Sequence, residues 1–293
     1  MRTRMNFLIW LNGSASSFSL VVRAVFLPFH LRLSMPVTGH ERVHEGMYAR
    51  IRVGPTGTTK EYFGHLHETA ANEVIGHHSK YLEWLRKAGV DVAATSLGKV
   101  KEDKGFRIRA EQGTIADEHF LDTVMRNGGH EATNALNELL GTTFKVVQAN
   151  RGTELERGFD VAPRNFALVD HKLVYVDTYP VLLRKDGKII TPQYKTHLRA
   201  KSSGPIQKGL TTVLRNVIPR EDFGAGRLFA RILTYSRNLS PGQAEAHEKL
   251  IRDFCQNHLE PPELDEFNKQ TTPRALRSRA LKFRVATRLF RKG

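Results

Sequence analysis

The sequence predicts an α+β fold of two lobes, a small mixed β lobe followed by a larger helical lobe. Three observations carry this. Strand-type segments with turn punctuation crowd into residues 43–112, helical periodicity dominates from His119 onward, and 293 residues with 40% hydrophobic content can bury a sizeable core. The expected organisation is an N-terminal extension (1–34), a small lobe (35–112), a helical lobe (113–260) and a basic tail (261–293).

Taken in order, residues 43–53 and 58–64 read as strands joined by the turn composition Gly54-Pro55-Thr56-Gly57. A helix is expected over 70–88, with Val74, Tyr81, Leu82, Trp84 and Leu85 as its apolar positions and Gly89 as its stop. A short strand at 90–93, a hairpin over 96–109 turning at Lys104-Gly105, and a linker over 111–117 complete the small lobe. Helices follow at 119–125 and 132–147, separated by Gly128-Gly129. Phe166 to Val169 and Leu173 to Val176 read as paired strands turning at Asp170-His171-Lys172, and 181–191 as a second hairpin turning at Lys185-Asp186-Gly187-Lys188. Further helices are expected at 206–217, 224–235 and 244–257, the last opened by Ser240-Pro241-Gly242-Gln243, a capping-box pattern with Pro at the first helical position.

The chemistry concentrates in Gly158-Phe159-Asp160-Val161-Ala162-Pro163-Arg164-Asn165 and in Asp177 of Val174-Tyr175-Val176-Asp177-Thr178. Phosphoryl transfer requires positioning and charge neutralisation more than covalent chemistry, so it needs a carboxylate near the acceptor hydroxyl and hard oxygen ligands for Mg2+. Asp160 suits the first role. Asn165 and Asp177 suit the second, because Mg2+ takes a few protein oxygens and completes its shell with phosphate oxygens and water. The intervening hairpin would return Asp177 to the side of Asn165.

Asp160, Pro163, Asn165 and Asp177 in this order resemble the catalytic and metal loops of the protein-kinase-like phosphotransferases, particularly the aminoglycoside and choline kinase branch. The resemblance covers about residues 42–257 by order of elements. It implies a two-lobed protein-kinase-like fold and an ATP- and Mg2+-dependent transfer to a hydroxyl of a small-molecule acceptor. It further implies a nucleotide-holding Lys60 paired with Glu73, with Glu68 as the alternative partner, and a hinge at Glu111-Gln112-Gly113 where Glu111 and Gly113 border the adenine. A phosphate-covering turn falls near Glu45-Gly46-Met47-Tyr48. The chain departs from the family at Gly158, where a His is usual, and at Thr178-Tyr179-Pro180, where Phe-Gly or an acid-containing continuation is usual. A pseudokinase, acting as a nucleotide- or partner-binding scaffold, is the alternative reading.

The net charge of +15 raises the question of nucleic acid. Arg2, Arg4, Arg23 and Arg32 stand in residues 1–34 without an acid, and eight further Lys and Arg stand in residues 272–293, again without an acid. Those twelve account for all but three of the net positive charges, so the body is nearly balanced and nucleic acid is disfavoured as a partner. The first 34 residues fit a signal or transit peptide, or an over-long start with Met35 opening the folded chain, and the second reading is favoured. The tail has helical apolar spacing at Leu276, Ala280 and Phe283, which suits either contact with an anionic membrane surface or docking on the body, the latter being favoured.

Other motifs fall away. In Gly54-Pro55-Thr56-Gly57-Thr58-Thr59-Lys60 the residues flanking the lysine are Thr59 and Glu61, where a P-loop has Gly and Ser or Thr. His65, His67, His77 and His78 lack the spacing of a zinc pair. The single cysteine, Cys255, predicts a buried apolar role in a reducing compartment, and with it a cytoplasmic location. The sequence carries no signal for oligomeric state.

Overall fold

The structure, a computed structural model, describes residues 42–45, 49–190 and 223–276. These residues form an α+β assembly of a sheet-rich region followed by a helical region. The expected extension at 1–34, the centre of the phosphate-covering turn at 46–48, the helix at 206–217 and the tail beyond residue 276 lie outside the described residues.

The first sheet contains β1 (Arg42–Glu45), β2 (Ala49–Val53), β3 (Thr58–Tyr62), β4 (Thr95–Glu102) and β5 (Gly105–Gln112), in the order β1-β2-β3-β5-β4. Every pairing is antiparallel. The single strand expected over 43–53 is a hairpin instead, because Arg42 pairs with Val53 and Glu45 with Arg50. Period-two alternation explains the faces of the sheet. Along β5, Ile108 and Ala110 are buried while Glu111 on the opposite face is exposed. Lys60 on β3 lies opposite Ile51 and Ala110 and so shares the inner face with them.

Helix α1 (Glu68–Lys87) packs on that inner face through Ala71, Val74, His78, Tyr81, Leu82 and Leu85, an i, i+3, i+4 stripe. It ends as expected at Gly89, whose φ is +76°. Gly89 N–H donates to the Arg86 carbonyl at 2.9 Å and Val90 N–H to the Leu85 carbonyl at 3.0 Å, a Schellman termination that needs the left-handed residue. The expected strand at 90–93 is reduced to a bridge. Tyr175 N–H donates to the Asp91 carbonyl and Ala93 N–H to the Tyr175 carbonyl, tying the segment after α1 to the site hairpin.

The helical region consists of α2 (Leu121–Asn127), α3 (Gly129–Asn150), α4 (Ala225–Leu239), α5 (Ala244–His258) and α6 (Pro261–Gln270). Two small sheets are inserted before α4. One pairs β7 (Phe166–Val169) with β8 (Lys172–Tyr175) through a two-residue turn in which Asp170 and His171 have φ of 50° and 61°. The other has the order β10-β9-β6, from β6 (Leu155–Arg157), β9 (Leu183–Lys185) and β10 (Lys188–Ile189). The hairpins follow the sequence reading, whereas the addition of β6 does not appear in it.

Two helix expectations need correction. Ser240 does not cap α5: its hydroxyl donates to the Met125 carbonyl, and Pro241–Gln243 form a 3-10 turn instead. The capping box stands on α6, between Glu260 and Glu263. The helical region also runs past the expected boundary at 260, because α6 packs on α4 and buries Phe267. One core runs from Tyr62, Val74 and Ile108 through Leu136, Phe159 and Phe166 to Phe229, Ile232 and Phe267. Among the described residues, no helix is long and apolar enough to cross a membrane.

Candidate functional site

The loop from Gly158 to Asn165 is held from beneath by aromatic packing. Phe159, Phe166 and Tyr175 are buried with ring centroids 4.8–5.7 Å apart. Above them Asp160 turns toward α4, where Arg231 Nη2 donates to Asp160 Oδ1 at 2.6 Å. The Ala162 amide donates to the same oxygen at 3.1 Å, and Asn165 Nδ2 to the Asp160 carbonyl at 3.4 Å. Burial opposes ionisation of Asp160, but the Arg231 and Arg164 guanidinia, the Ala162 amide and Asn165 outweigh it, holding the carboxyl below the usual aspartate range. Asp160 is therefore ionised at neutral pH.

Gly158 has a steric reason. Its amide donates to the Leu182 carbonyl at 2.8 Å, and its own carbonyl accepts from Tyr81 Oη at 2.8 Å. A Cβ there would come within 2.9 Å of Leu182 Cβ and 3.1 Å of Phe223 Cζ. The residue two before Asp160 is thus small because Leu182, just before β9, and Phe223, just before α4, approach its backbone closely.

Asn165 and Asp177 meet as the hairpin spacing requires. Val176 N–H donates to the Asn165 carbonyl at 2.8 Å, which places Asp177 one residue from that contact. Gln112 Nε2 holds Val176 from the other side, donating to its carbonyl at 2.6 Å and to Thr95 Oγ1 at 2.7 Å. Asn165 is buried, and its side-chain oxygen makes no hydrogen bond among the described residues. Asp177 is 38% exposed and uses one oxygen, Oδ1, for Lys60 Nζ at 2.9 Å. Asn165 Oδ1 and Asp177 Oδ2 remain as hard oxygens, the type of ligand that Mg2+ takes. Among the described residues, no group of three His, Cys, Asp or Glu could hold a metal.

The expected Lys60–Glu73 pair is not formed. Glu73 is exposed on α1, Lys60 pairs with Asp177, and the alternative partner Glu68 pairs with Lys99 at 2.6 Å. Helical phase explains this. His78 faces the loop after β8, since its Nε2 lies 2.9 Å from Thr178 Oγ1, and one turn earlier on the same face stands Val74, so Glu73 is rotated away. Glu111 and Gly113 sit where β5 leaves the sheet. Glu111 is exposed and pairs with Arg109 at 3.2 Å, and a Cβ at Gly113 would meet nothing within 4 Å. Neither touches the Asp160–Asp177 cluster among the described residues.

Three side chains at the site, His78, Arg164 and Arg231, were given no role there by the sequence reading, and Gln112 was placed only in the hinge segment. Arg231 lies three residues after Leu228 and four before Tyr235, the inward spacing of α4, and that misplaced charge was the available signal. A cavity of about 280 Å³ opens elsewhere, lined by Arg50, Glu61, Phe63, Gly64 and Arg107, and contains none of the cluster residues.

Fold and site define an α+β protein in which two carboxylates and three cations, Lys60, Arg164 and Arg231, converge around a buried asparagine. Residues 46–289 match the family described as "Family of unknown function (DUF6206)", and the chain belongs to that family. Among curated proteins, nothing matches it. Among solved structures, the crystal structure of WbdD is similar at 12% identity and a TM-score of 0.33, over 79% of this chain and 50% of that one. The chain thus spans about half the length of that structure.

Proposed function

We propose that the chain is a phosphotransferase of the two-lobed protein-kinase-like type, using ATP and Mg2+ to phosphorylate a hydroxyl of a small molecule. The observation that carries this reading is the joining of Asp160, Asn165 and Asp177 by one loop and one hairpin, with Lys60 reaching Asp177 from the sheet. Mg2+ would supply charge neutralisation at the transferred phosphate, held by Asn165 and Asp177. Lys60 binds phosphate oxygens once released from Asp177. Asp160 accepts a hydrogen bond from the acceptor hydroxyl and orients its oxygen. Its depressed pKa makes it a weak base, which suits a loose transition state in which the proton leaves late. The acceptor oxygen bonds to the γ-phosphorus as the bridge to the β-phosphate breaks, ADP leaves with that electron pair, and the hydroxyl proton passes by way of Asp160 to solvent.

The exposed Glu73 and the apolar Val74 favour a second reading, a nucleotide-binding scaffold without turnover. Titration of ATP with and without Mg2+ tests the first step. Mg2+-dependent binding that Asp177→Ala abolishes supports the nucleotide site, and its absence from folded protein overturns it. Asp160→Asn then separates the readings. A phosphotransferase loses ADP release with the acceptor while keeping nucleotide affinity, whereas a scaffold shows no acceptor-dependent ADP release in either form.

A further inference from the structure

We propose that the cavity on the outer face of the five-stranded sheet binds a free α-amino acid, with Glu61 taking its ammonium group and Arg107 its carboxylate. This site stands apart from the phosphotransferase reading and does not depend on it.

Strand alternation sets the walls. Lys60, Ile108 and Ala110 share the inner face, so Glu61 on β3 and the residues flanking Ile108 on β5, Arg107 and Arg109, belong to the outer one. Glu61 lies directly opposite Arg50 on β2 and Arg109 on β5. It pairs with neither, and its carboxylate makes no hydrogen bond or ion pair among the described residues. The neighbouring ions are engaged elsewhere. Arg109 pairs along its own strand with Glu111 at 3.2 Å, and Arg107 Nη2 lies 2.9 Å from Glu102, which also meets His65 Nε2 at 2.7 Å. Arg107 has no further partner among the described residues, which leaves Nη1 open to a ligand.

Glu61 and Arg107 line the same cavity of about 280 Å³ together with Arg50, Phe63 and Gly64. As diagonal neighbours on one face of an antiparallel pair their backbones stand about 7–8 Å apart. They form no ion pair with each other, so a gap separates an open carboxylate from an open guanidinium nitrogen. A molecule with an ammonium and a carboxylate on one carbon spans such a gap with a charge-assisted hydrogen bond at either end. An amine alone would also meet the Arg107 guanidinium, and an acid alone the Glu61 carboxylate, so each loses one contact and gains a repulsion. The volume falls just below the roughly 300–1,000 Å³ of pockets for drug-sized ligands, which suits a molecule of amino-acid size, and Phe63 supplies an apolar wall for its side chain. Lys60 is on the opposite face of the sheet with its partner Asp177, so the two sites do not share a residue.

The common L-amino acids, screened against the full chain by ligand-detected NMR at constant ionic strength, test the site without requiring turnover. At least one is expected to bind. Its analogues lacking the carboxylate or the amino group should each bind about tenfold or more weakly. The amino acid itself should bind about tenfold or more weakly to Glu61→Gln and to Arg107→Met, as loss of a charge-assisted hydrogen bond requires. Arg107→Lys, which keeps the charge and loses the fork, should lie between wild type and Arg107→Met and guards against a folding defect in the latter. Asp177→Ala should retain the wild-type affinity for the amino acid. Absence of binding by every amino acid in folded wild type, equal binding of either analogue, indifference to both Glu61→Gln and Arg107→Met, or loss in Asp177→Ala overturns the site. Titration of ATP in parallel keeps the two ideas apart: a chain that fails to bind nucleotide but shows this variant pattern refutes the phosphotransferase and retains the amino-acid site.

Discussion

Lys60 Nζ lies 2.9 Å from Asp177 Oδ1 across 117 positions of sequence, joining the third strand of the sheet to the loop that follows the β7–β8 hairpin. The contact satisfies both charges within the chain. A divalent cation that ligates Asp177 and a nucleotide that ligates Lys60 must divide the pair between them.

Lys60→Met is therefore expected to have opposite effects on two ligands. Affinity for Mn2+ alone, followed by its paramagnetic relaxation, should rise several-fold because Asp177 is released from its cation. Affinity for Mg-ATP should fall about tenfold or more through loss of a charge-assisted hydrogen bond to phosphate. Parallel changes in both would show that Lys60 and Asp177 do not compete.

His78 sets a pH window for stability. Burial, with a smaller contribution from Arg86, lowers its pKa to about 4 from an ordinary 6.5, so the fold holds it neutral beside Thr178 and Tyr179. The unfolded chain binds the proton first. Stability is then full above about pH 6.5 and declines as pH falls toward 4, by up to about 3 kcal/mol. Denaturant unfolding at pH 7.5 and pH 5 should show a smaller decline in His78→Gln than in wild type.

At Gly158 the close approach of Leu182 and Phe223 leaves no room for a Cβ. Gly158→Ala is expected to cost about 1–3 kcal/mol as an overpacking change. An unchanged urea midpoint would refute the steric account of this position.

Gly226 tests whether residues beyond 260 belong to the fold. A Cβ there would stand 2.6 Å from the Glu263 carbonyl oxygen and from the Phe267 amide nitrogen, both backbone atoms of α6. Gly226→Ala should separate α4 from α6 and cost about 3 kcal/mol, the upper end of overpacking changes. Accelerated amide exchange confined to α4 and α6 would locate the effect.

Cys255 is buried and its thiol is pushed up to about 12, chiefly by burial. The native protein should react negligibly with a thiol-directed disulfide reagent at pH 8 and yield one equivalent once unfolded. Rapid native labelling would place Cys255 outside the core.

The sequence by itself determined the α+β class, the two hairpins, the stop of α1 at Gly89, and the meeting of Asp160, Asn165 and Asp177 through local spacing. These depend on turn chemistry, glycine conformation and periodicity, which act over a few residues. Only the tertiary structure decided that 43–53 is a hairpin, that Ser240 serves Met125 instead of capping a helix, and that Lys60 pairs with Asp177 while Glu73 faces solvent. It likewise decided that Arg231 reaches Asp160 from α4. Each of these turns on which face of an element meets an element far away in sequence, and a rotation of one residue along α1 separates Val74 from Glu73. Local pattern limits such choices, but the packing of distant side chains makes them.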